Sequence, residues 1–207
     1  MKSSYQLYGR PGSGNWSVQV MLEEIGAPYE RFWVARDAAE VAKLKQIIPT
    51  GKVPALVLTD GTILMESAAM LIHLAAAYPQ FQLAPPPGSS EHAVFLQWMV
   101  FLSANVYESA LRMFYPERYT SDSSGADGVR AQAESDHLAQ LRIIAQRLDP
   151  YLLGGQFSIA DVYLYMLVSW WPHDRAALYR AVPGLEAHVA SVAARPAVIK
   201  VEADHAA

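Results

Sequence analysis

The sequence contains no cysteine, and this absence removes several kinds of chemistry at once. Disulfide bonds, protein thiolate nucleophiles and cysteine-bound zinc are all excluded. Positive charge is also scarce, because 16 lysines and arginines stand against 20 acidic residues, for a net charge of −4. Phosphate backbones are bound by clustered Lys and Arg, so we expect no nucleic-acid partner.

Long hydrophobic runs are absent as well. No uncharged apolar stretch reaches the ~18 residues of a membrane span, and no apolar segment follows the first five residues. We therefore expect neither a membrane span nor a signal peptide, and a cytoplasmic location. The histidines show no metal-ligand spacing with acids, so no metal site is expected. With 207 residues, 52% of them apolar, the chain predicts one large or two small folded domains.

The first 79 residues predict a compact α/β domain with a mixed sheet. The predicted elements are a strand over 5–8, a helix over 18–25, a strand over 29–34, a helix over 38–47, strands over 55–58 and 62–64, and a helix over 67–77. Asp60-Gly61 supplies the turn between the last two strands. The order is therefore βαβαββα.

The remainder of the chain predicts helices alone. Residues 80–90 carry three consecutive prolines and form a semi-rigid connector. Helical patterns follow over 91–115, 129–148 and 158–171, with shorter ones within 178–195. The third long helix begins with Ser158 and Asp161, which have the spacing of a capping box. We expect the helix over 91–115 to be buried, because residues 93–102 are apolar on almost every side.

The stretch from Gly51 to Ser67 contains two unusual features. Pro54 lies among apolar residues where a buried strand should begin, and strands tolerate proline only at the first residue, at an edge or at a bulge. From these residues alone a trans Val53–Pro54 bond is the better expectation, because only ~5–6% of X–Pro bonds in folded proteins are cis. Glu66-Ser67 opens a helix, and helix capping alone would explain this pair.

Taken in order, these motifs resemble the cytosolic glutathione transferase family, in its bacterial form, over essentially the whole chain. The motifs are Gly-Lys-Val-Pro-Ala-Leu at 51–56, Glu-Ser at 66–67, the proline-rich linker, and Phe-Ser-Ile-Ala-Asp-Val at 157–162. The resemblance implies a thioredoxin-like domain over 1–79 with a cis bond before Pro54. It also implies a linker over 80–90, an all-helical domain over 91–207 and a homodimer.

The resemblance further implies a glutathione site. The Val53 backbone would pair with the cysteinyl part of glutathione next to cis Pro54, and Glu66 and Ser67 would hold the γ-glutamyl end. This assignment is chemically sound, because Glu66 can pair with the ammonium group and a helix N-terminus favours the carboxylate. Lys52 is the candidate partner of the glycyl carboxylate, although an exposed lysine is more often only solvated.

Chemistry in this family requires a donor that stabilises the thiolate of glutathione, whose free thiol has a pKa near ~8.5. Three residues are candidates: Ser13 as the first choice, then Tyr8 and Asn15. The sequence departs from the family pattern at Gly14, where related bacterial enzymes carry cysteine, and at Ile48, where asparagine is usual. Two functions therefore remain. The first is a detoxifying transferase that activates glutathione and adds it to a small electrophile, or uses it to reduce one. The alternative is a binding or scaffolding protein that has lost its thiol-activating residue.

A second substrate, expected to be a small hydrophobic electrophile, would be bound by the helical domain. The candidate residues share the long predicted helix: Asn105, Tyr107, Glu108, Leu111, Arg112 and Tyr115. A polar stripe at steps of three and four includes Arg112, which would favour an acidic electrophile if it faced the site. An exposed Glu108–Arg112 pair is an equally good interpretation of the same spacing. Tyr107 and Leu111 would form an apolar wall in either case.

Overall fold

The computed structural model describes residues 4–206, which form two compact units. Unit 1 comprises residues 4–84 and 194–206, and unit 2 comprises residues 85–193. Residues 1–3 and 207, where the two expected domains begin and end, lie outside the described residues. The domain limits at 79 and 91 stay a prediction. The fold class is confirmed, because a mixed sheet with helices is followed by a helical region.

Unit 1 closely follows the predicted order. Its elements are β1 (Tyr5–Gly9), α1 (Asn15–Glu24), β2 (Tyr29–Trp33), α2 (Ala38–Ile47), β3 (Ala55–Val57), β4 (Ile63–Met65), α3 (Ser67–Ala77), a 3₁₀ turn (Pro79–Phe81) and, from the end of the chain, α10 (Pro196–Ala206). The predicted bounds of α2 and α3 match, whereas α1 begins three residues before the predicted start at 18.

The sheet has four strands in the order β2-β1-β3-β4. The strands β1 and β2 are parallel, and β3 is antiparallel to both β1 and β4. Side chains alternate between the two faces of β1. Leu7 is fully buried, and Tyr8 on the other face packs against a cluster that contains Leu44 of α2. The helix α1 packs against both α3 and α10.

Local signals explain the helix ends. Asp37 caps α2, because its Oδ1 accepts the Glu40 amide at 2.9 Å. Gly26 follows α1 with φ +62°, a conformation that glycine adopts without steric cost. The helix α10 is anchored to α1 by Arg195, whose Nε and Nη2 donate to both Glu24 carboxylate oxygens at 2.6 and 2.7 Å.

Unit 2 is built from helices. Its elements are α4 (Ser90–Phe101), a π-helical segment (Leu102–Tyr107), α5 (Glu108–Phe114), 3₁₀ turns (Pro116–Arg118 and Ser123–Gly125), α6 (Ala126–Ala145), α7 (Ile159–Ser169), α8 (Arg175–Ala181) and α9 (Leu185–Ala193). The helix α7 is central, because each of its first ten residues is buried. The predicted burial of 91–115 is only partly right, because Val100 is 60% exposed.

The start of α7 carries the expected capping arrangement. The Ser158 amide donates to Asp161 Oδ2 at 2.8 Å, and the Leu152 amide donates to Asp161 Oδ1 at 2.8 Å. His188 Nε2 lies 3.0 Å from the same Oδ1, and both side chains are fully buried. Asp161 therefore joins the start of α7, the preceding turn and α9, which is more than the local cap that the sequence indicates.

Within residues 4–206, no helix has the length and apolar character needed to cross a bilayer. The same residues contain no group of three or more His, Cys, Asp or Glu side chains arranged to hold a metal ion.

Candidate functional site

Three segments of unit 1 meet at one edge of the sheet. Tyr8 in β1 pairs with Ala55 in β3, and Ala55 pairs with Met65 in β4. The end of β1, the start of β3 and the end of β4 therefore share this edge. Val53 lies two residues before Ala55 and Ser67 lies two residues after Met65, so both adjoin this edge. The loop 10–14, the segment 52–54 and the pair 66–67 are thus brought together by strand pairing.

The loop after β1 begins with a tight turn over residues 10–13. The Ser13 amide donates to the Arg10 carbonyl at 3.2 Å, with Pro11 second in the turn and Gly12 third at φ +67°. These are the features of a type II turn, in which the third residue needs a positive φ. Arg10 anchors the turn to the end of β2, because its Nε donates to the Val34 carbonyl at 3.0 Å.

Asn15, the first residue of α1, holds this loop from inside. Its side chain is fully buried, and its Oδ1 accepts the Arg10 amide at 3.0 Å and the Ser13 hydroxyl at 2.7 Å. A Cβ at Gly9 would lie 2.1 Å from Asn15 Cγ, so Asn15 needs a glycine at that position. Asn15 Nδ2 has no hydrogen-bond partner among residues 4–206.

The three candidate donors thus occupy different surroundings. Asn15 is fully buried, whereas Ser13 is half-buried at the turn of the loop. The Tyr8 ring is stacked on Phe32, with centroids 4.9 Å apart. Burial, and then the neighbouring Glu30 carboxylate, raise the pKa of Tyr8. Because its pKa is raised, Tyr8 is a neutral phenol at neutral pH, which is the form that can donate a hydrogen bond to a thiolate.

The Val53–Pro54 bond is cis, as the family resemblance implies. Among the residues that the structure describes, neither the Val53 amide nor its carbonyl forms a backbone hydrogen bond. Lys52 beside it is exposed, and the Lys52 amide donates to the Thr50 hydroxyl oxygen at 3.3 Å. Thr50 Oγ1 also donates to Met65 Sδ at 3.5 Å, which ties this loop to the end of β4.

Glu66 has an unusual backbone. Its φ of 67° and ψ of 111° lie in a region that side-chain-bearing residues rarely occupy, and its side chain is exposed. Ser67 is buried and begins α3. The first amides of a helix lack carbonyl partners within the helix, so this end of α3 carries partial positive charge next to the Glu66 carboxylate.

The residues expected to bind an electrophile lie in unit 2, in the π-helical segment, in α5 and at Tyr115 directly after α5. Asn105 is exposed, whereas the Tyr107 ring packs edge-on against Trp170, with centroids 5.0 Å apart. Arg112 forms an ion pair with Asp136 of α6 at 3.3 Å, so Glu108 is not its partner. Leu111 is half-buried, and Arg118 lies 3.9 Å over the ring of Tyr115.

One contact to the loop could not be expected from the sequence. The Gly12 amide donates to Nδ1 of His205, a residue of α10 that is 193 positions further along the chain. Neither helical spacing nor a known short motif marks His205. Only the packing of α10 on α1 brings it to this loop.

Comparisons with known proteins agree with the fold. Residues 16–77 match the family model "Glutathione S-transferase, N-terminal domain", and residues 104–203 match "Glutathione S-transferase, C-terminal domain". The chain is 30% identical over 172 residues to the uncharacterized GST-like protein YncG of Escherichia coli K12, covering 81% of this chain and 82% of YncG. It is 27% identical over 170 residues to glutathione S-transferase GstA of E. coli O157:H7, covering 80% and 81%.

Solved structures give the same result. A glutathione transferase homolog from Sulfitobacter with bound glutathione superposes with a TM-score of 0.87 at 28% identity, covering 98% of each chain. The bacterial GST BphK, solved as a ternary complex, superposes with a TM-score of 0.83 at 29% identity, covering 98% of this chain and 100% of BphK. The chain therefore belongs to the glutathione S-transferase family.

Proposed function

We propose that this protein binds glutathione at the sheet edge formed by residues 10–14, 52–54 and 66–67, and activates its thiol for transfer to a small electrophile. The observation that carries the proposal is the meeting of three complementary groups at one edge. They are the unpaired backbone of Val53, the start of α3 with the Glu66 carboxylate, and the loop that holds Ser13.

Each group suits one part of the tripeptide. An unpaired amide and carbonyl at Val53 can form a short ladder with the cysteinyl residue. The exposed Glu66 carboxylate can pair with the γ-glutamyl ammonium, and the N-terminus of α3 favours the neighbouring carboxylate. Exposed Lys52 is free of the core and can reach the glycyl carboxylate. This arrangement requires no cofactor beyond glutathione itself as co-substrate.

Ser13 is our candidate for the thiolate donor. Its hydroxyl donates to Asn15 Oδ1, and Asn15 Oδ1 would keep the Arg10 amide as a donor if the hydroxyl rotated away. Hydrogen bonds to a charged acceptor are roughly twice as strong as neutral ones, so a thiolate would compete well for the Ser13 proton. The thiol proton leaves to solvent, the sulfur attacks the electrophilic carbon, and the leaving group departs with its electron pair.

The residues that we propose for electrophile binding all belong to unit 2. Because Arg112 already has Asp136 as its ion partner, we propose an uncharged, hydrophobic electrophile rather than an acidic one. The half-buried aromatic ring of Tyr107, with Leu111, supplies apolar surface of that kind. As in the family at large, we propose a homodimer and a cytoplasmic location.

Ultraviolet thiolate absorbance of bound glutathione, measured from pH 5 to 9, tests the proposal. Wild-type protein should lower the thiol pKa below that of free glutathione. Losing one hydrogen bond to a charged group removes roughly 1.5–3 kcal/mol, so Ser13→Ala should raise the bound-thiol pKa by about 1–2 units. Ser13→Thr should restore most of the shift, and Tyr8→Phe should leave it unchanged.

Two outcomes would contradict the proposal. If the wild-type protein binds glutathione but gives no thiolate signal, the binding or scaffolding alternative is supported instead. Gly14 favours that alternative, because it has no side chain at the position where related bacterial enzymes carry cysteine. An unchanged pKa in Ser13→Ala would exclude Ser13 as the donor. Absence of any glutathione binding would contradict the site itself.

A further inference from the structure

We infer that His205 of α10 is a positioning residue for the loop that holds Ser13, acting through the Gly12 amide. This inference rests on the proposed function, because it concerns the loop to which we assign thiol activation. It assigns a role to α10, a helix that supplies none of the groups proposed to bind glutathione.

A chain of oriented hydrogen bonds fixes the tautomer of His205. The Tyr29 hydroxyl donates to Glu23 at 2.7 Å, and Gln19 Nε2 donates to the Tyr29 oxygen at 3.1 Å and to Asp204 at 2.8 Å. Gln19 Oε1 therefore remains as an acceptor, and His205 Nε2 donates to it at 3.1 Å. A neutral imidazole that carries its proton on Nε2 has a bare Nδ1.

That bare Nδ1 faces the loop. It accepts the Gly12 amide proton, with 3.3 Å between the two nitrogens. Burial, and then the Arg31 guanidinium, lower the pKa of His205 to about 4, so the ring is neutral and able to accept at neutral pH. Two contacts hold this end of α10 in place. The His205 ring packs edge-to-face against the Trp33 ring, with centroids 5.1 Å apart, and Arg31 forms an ion pair with Asp204 at 2.9 Å.

The Gly12 amide is the group that matters most in this turn. Type I and type II turns differ by a flip of the peptide between the second and third residues, here Pro11 and Gly12. An acceptor fixed on Gly12 N–H selects the orientation observed, with Gly12 at φ +67°. Ser13 closes this turn through its amide on the Arg10 carbonyl, and its hydroxyl donates to Asn15, so a less firmly held turn would leave that hydroxyl less firmly placed. His205 therefore selects the turn geometry from outside, while Asn15 holds it from inside.

Three substitutions separate positioning from general docking of α10. His205→Phe keeps a ring beside Trp33 and removes both hydrogen bonds. His205→Asn keeps an acceptor at the place of Nδ1. Arg195→Met is the matched control, because Arg195 anchors the start of α10 to Glu24 at 2.6 and 2.7 Å and lies outside the hydrogen-bond chain that orients His205.

The first measurement needs no ligand: amide hydrogen exchange of Gly12 by NMR. Loss of one hydrogen bond should speed the exchange of this amide about fivefold in His205→Phe, with near-wild-type exchange in His205→Asn and in Arg195→Met. The second is the pKa of the bound glutathione thiol, together with the KM for glutathione. In His205→Phe both should rise, and His205→Asn should restore them.

The outcomes are separable from those of the proposed function. If wild-type protein lowers the thiol pKa but His205→Phe leaves both the pKa and Gly12 exchange unchanged, the inference is wrong. It is equally wrong if Arg195→Met reproduces every effect of His205→Phe, since α10 would then act only by docking. If wild-type protein gives no thiolate signal, the proposed function fails, and Gly12 exchange alone decides whether His205 positions the loop.

Discussion

Replacing Glu66 with glycine should make the protein without ligand more stable while it abolishes the proposed contact to the γ-glutamyl end of glutathione. A side-chain-bearing residue at φ 67° and ψ 111° is held in a sparsely populated conformation. Such conformations cost about 1–3 kcal/mol, and the surrounding structure has to enforce them. Glycine escapes that cost, but it loses about 0.5–1 kcal/mol more backbone entropy than alanine on folding.

The comparison that isolates the backbone is Glu66→Gly against Glu66→Ala, because both lack the carboxylate. The difference of the two terms above leaves Glu66→Gly more stable by roughly 1 kcal/mol, or about 2–4 °C in Tm for a chain of this size. At an ordinary helical position the order is reversed. Ala69→Gly, at an exposed residue of α3, should therefore destabilise the protein by about 1 kcal/mol.

Urea unfolding at pH 7.5 without ligand measures the stabilities, and retention on immobilised glutathione measures the site. Both Glu66 variants should lose retention, whereas Ala69→Gly should keep it. If Glu66→Ala proves as stable as Glu66→Gly, position 66 carries no backbone strain and the reasoning fails. If Glu66→Gly is retained on immobilised glutathione as well as the wild type is, the Glu66 carboxylate is not a ligand of glutathione.

Two further predictions concern a close approach and a buried histidine. A Cβ at position 9 would lie 2.1 Å from Asn15 Cγ, so Gly9→Ala should displace Asn15 and cost about 1–3 kcal/mol in urea unfolding. In an Asn15→Ala background the same change should cost little, and equal costs in both backgrounds would contradict the clash. Burial lowers the pKa of His137 to about 4, below its value of 6.5 when unfolded. The unfolded chain therefore binds this proton first, and stability falls as the pH drops from 6.5 towards 4. Between pH 7.5 and 5 the loss should be about 2 kcal/mol, and His137→Gln should lack this component. Identical pH dependence in both proteins would exclude His137 as the cause.

Much of unit 1 could be predicted from local sequence. The bounds of α2 and α3 follow from an apolar period, a cap at Asp37 and prolines beyond the ends, all of which act within a few residues. The start of α1 was predicted too late, because Asn15 and Trp16 follow a glycine-rich loop and the apolar period begins only at Val18. Its first turn is stabilised by hydrogen bonds from the loop rather than by an amphipathic face.

The π-helical segment explains why the polar stripe of unit 2 was harder to predict. The stripe from Asn105 to Tyr115 assumed 3.6 residues per turn throughout. A π turn inserts about one extra residue and rotates everything beyond it by roughly 100°. Asn105 is consequently exposed, whereas Arg112 is turned toward Asp136 on α6. No periodicity in the sequence marks Leu102–Tyr107 as π-helical.

The two halves of the candidate site differ in how far the sequence encodes them. The binding half depends on strand register, which hydrophobic alternation and turns fix locally, so Val53 and Glu66 could be assigned from motifs. The reactive half is a glycine-rich loop that has no strong preference of its own for one conformation. Its geometry is imposed by Arg10 on the end of β2, by Asn15 beneath Gly9 and by His205 on α10. A serine in such a loop acquires a defined direction only through these distant partners. Grafting residues 9–16 into a related fold should therefore transfer the sequence of the loop without the proposed thiol activation, unless Gln19 and His205 are transferred with it.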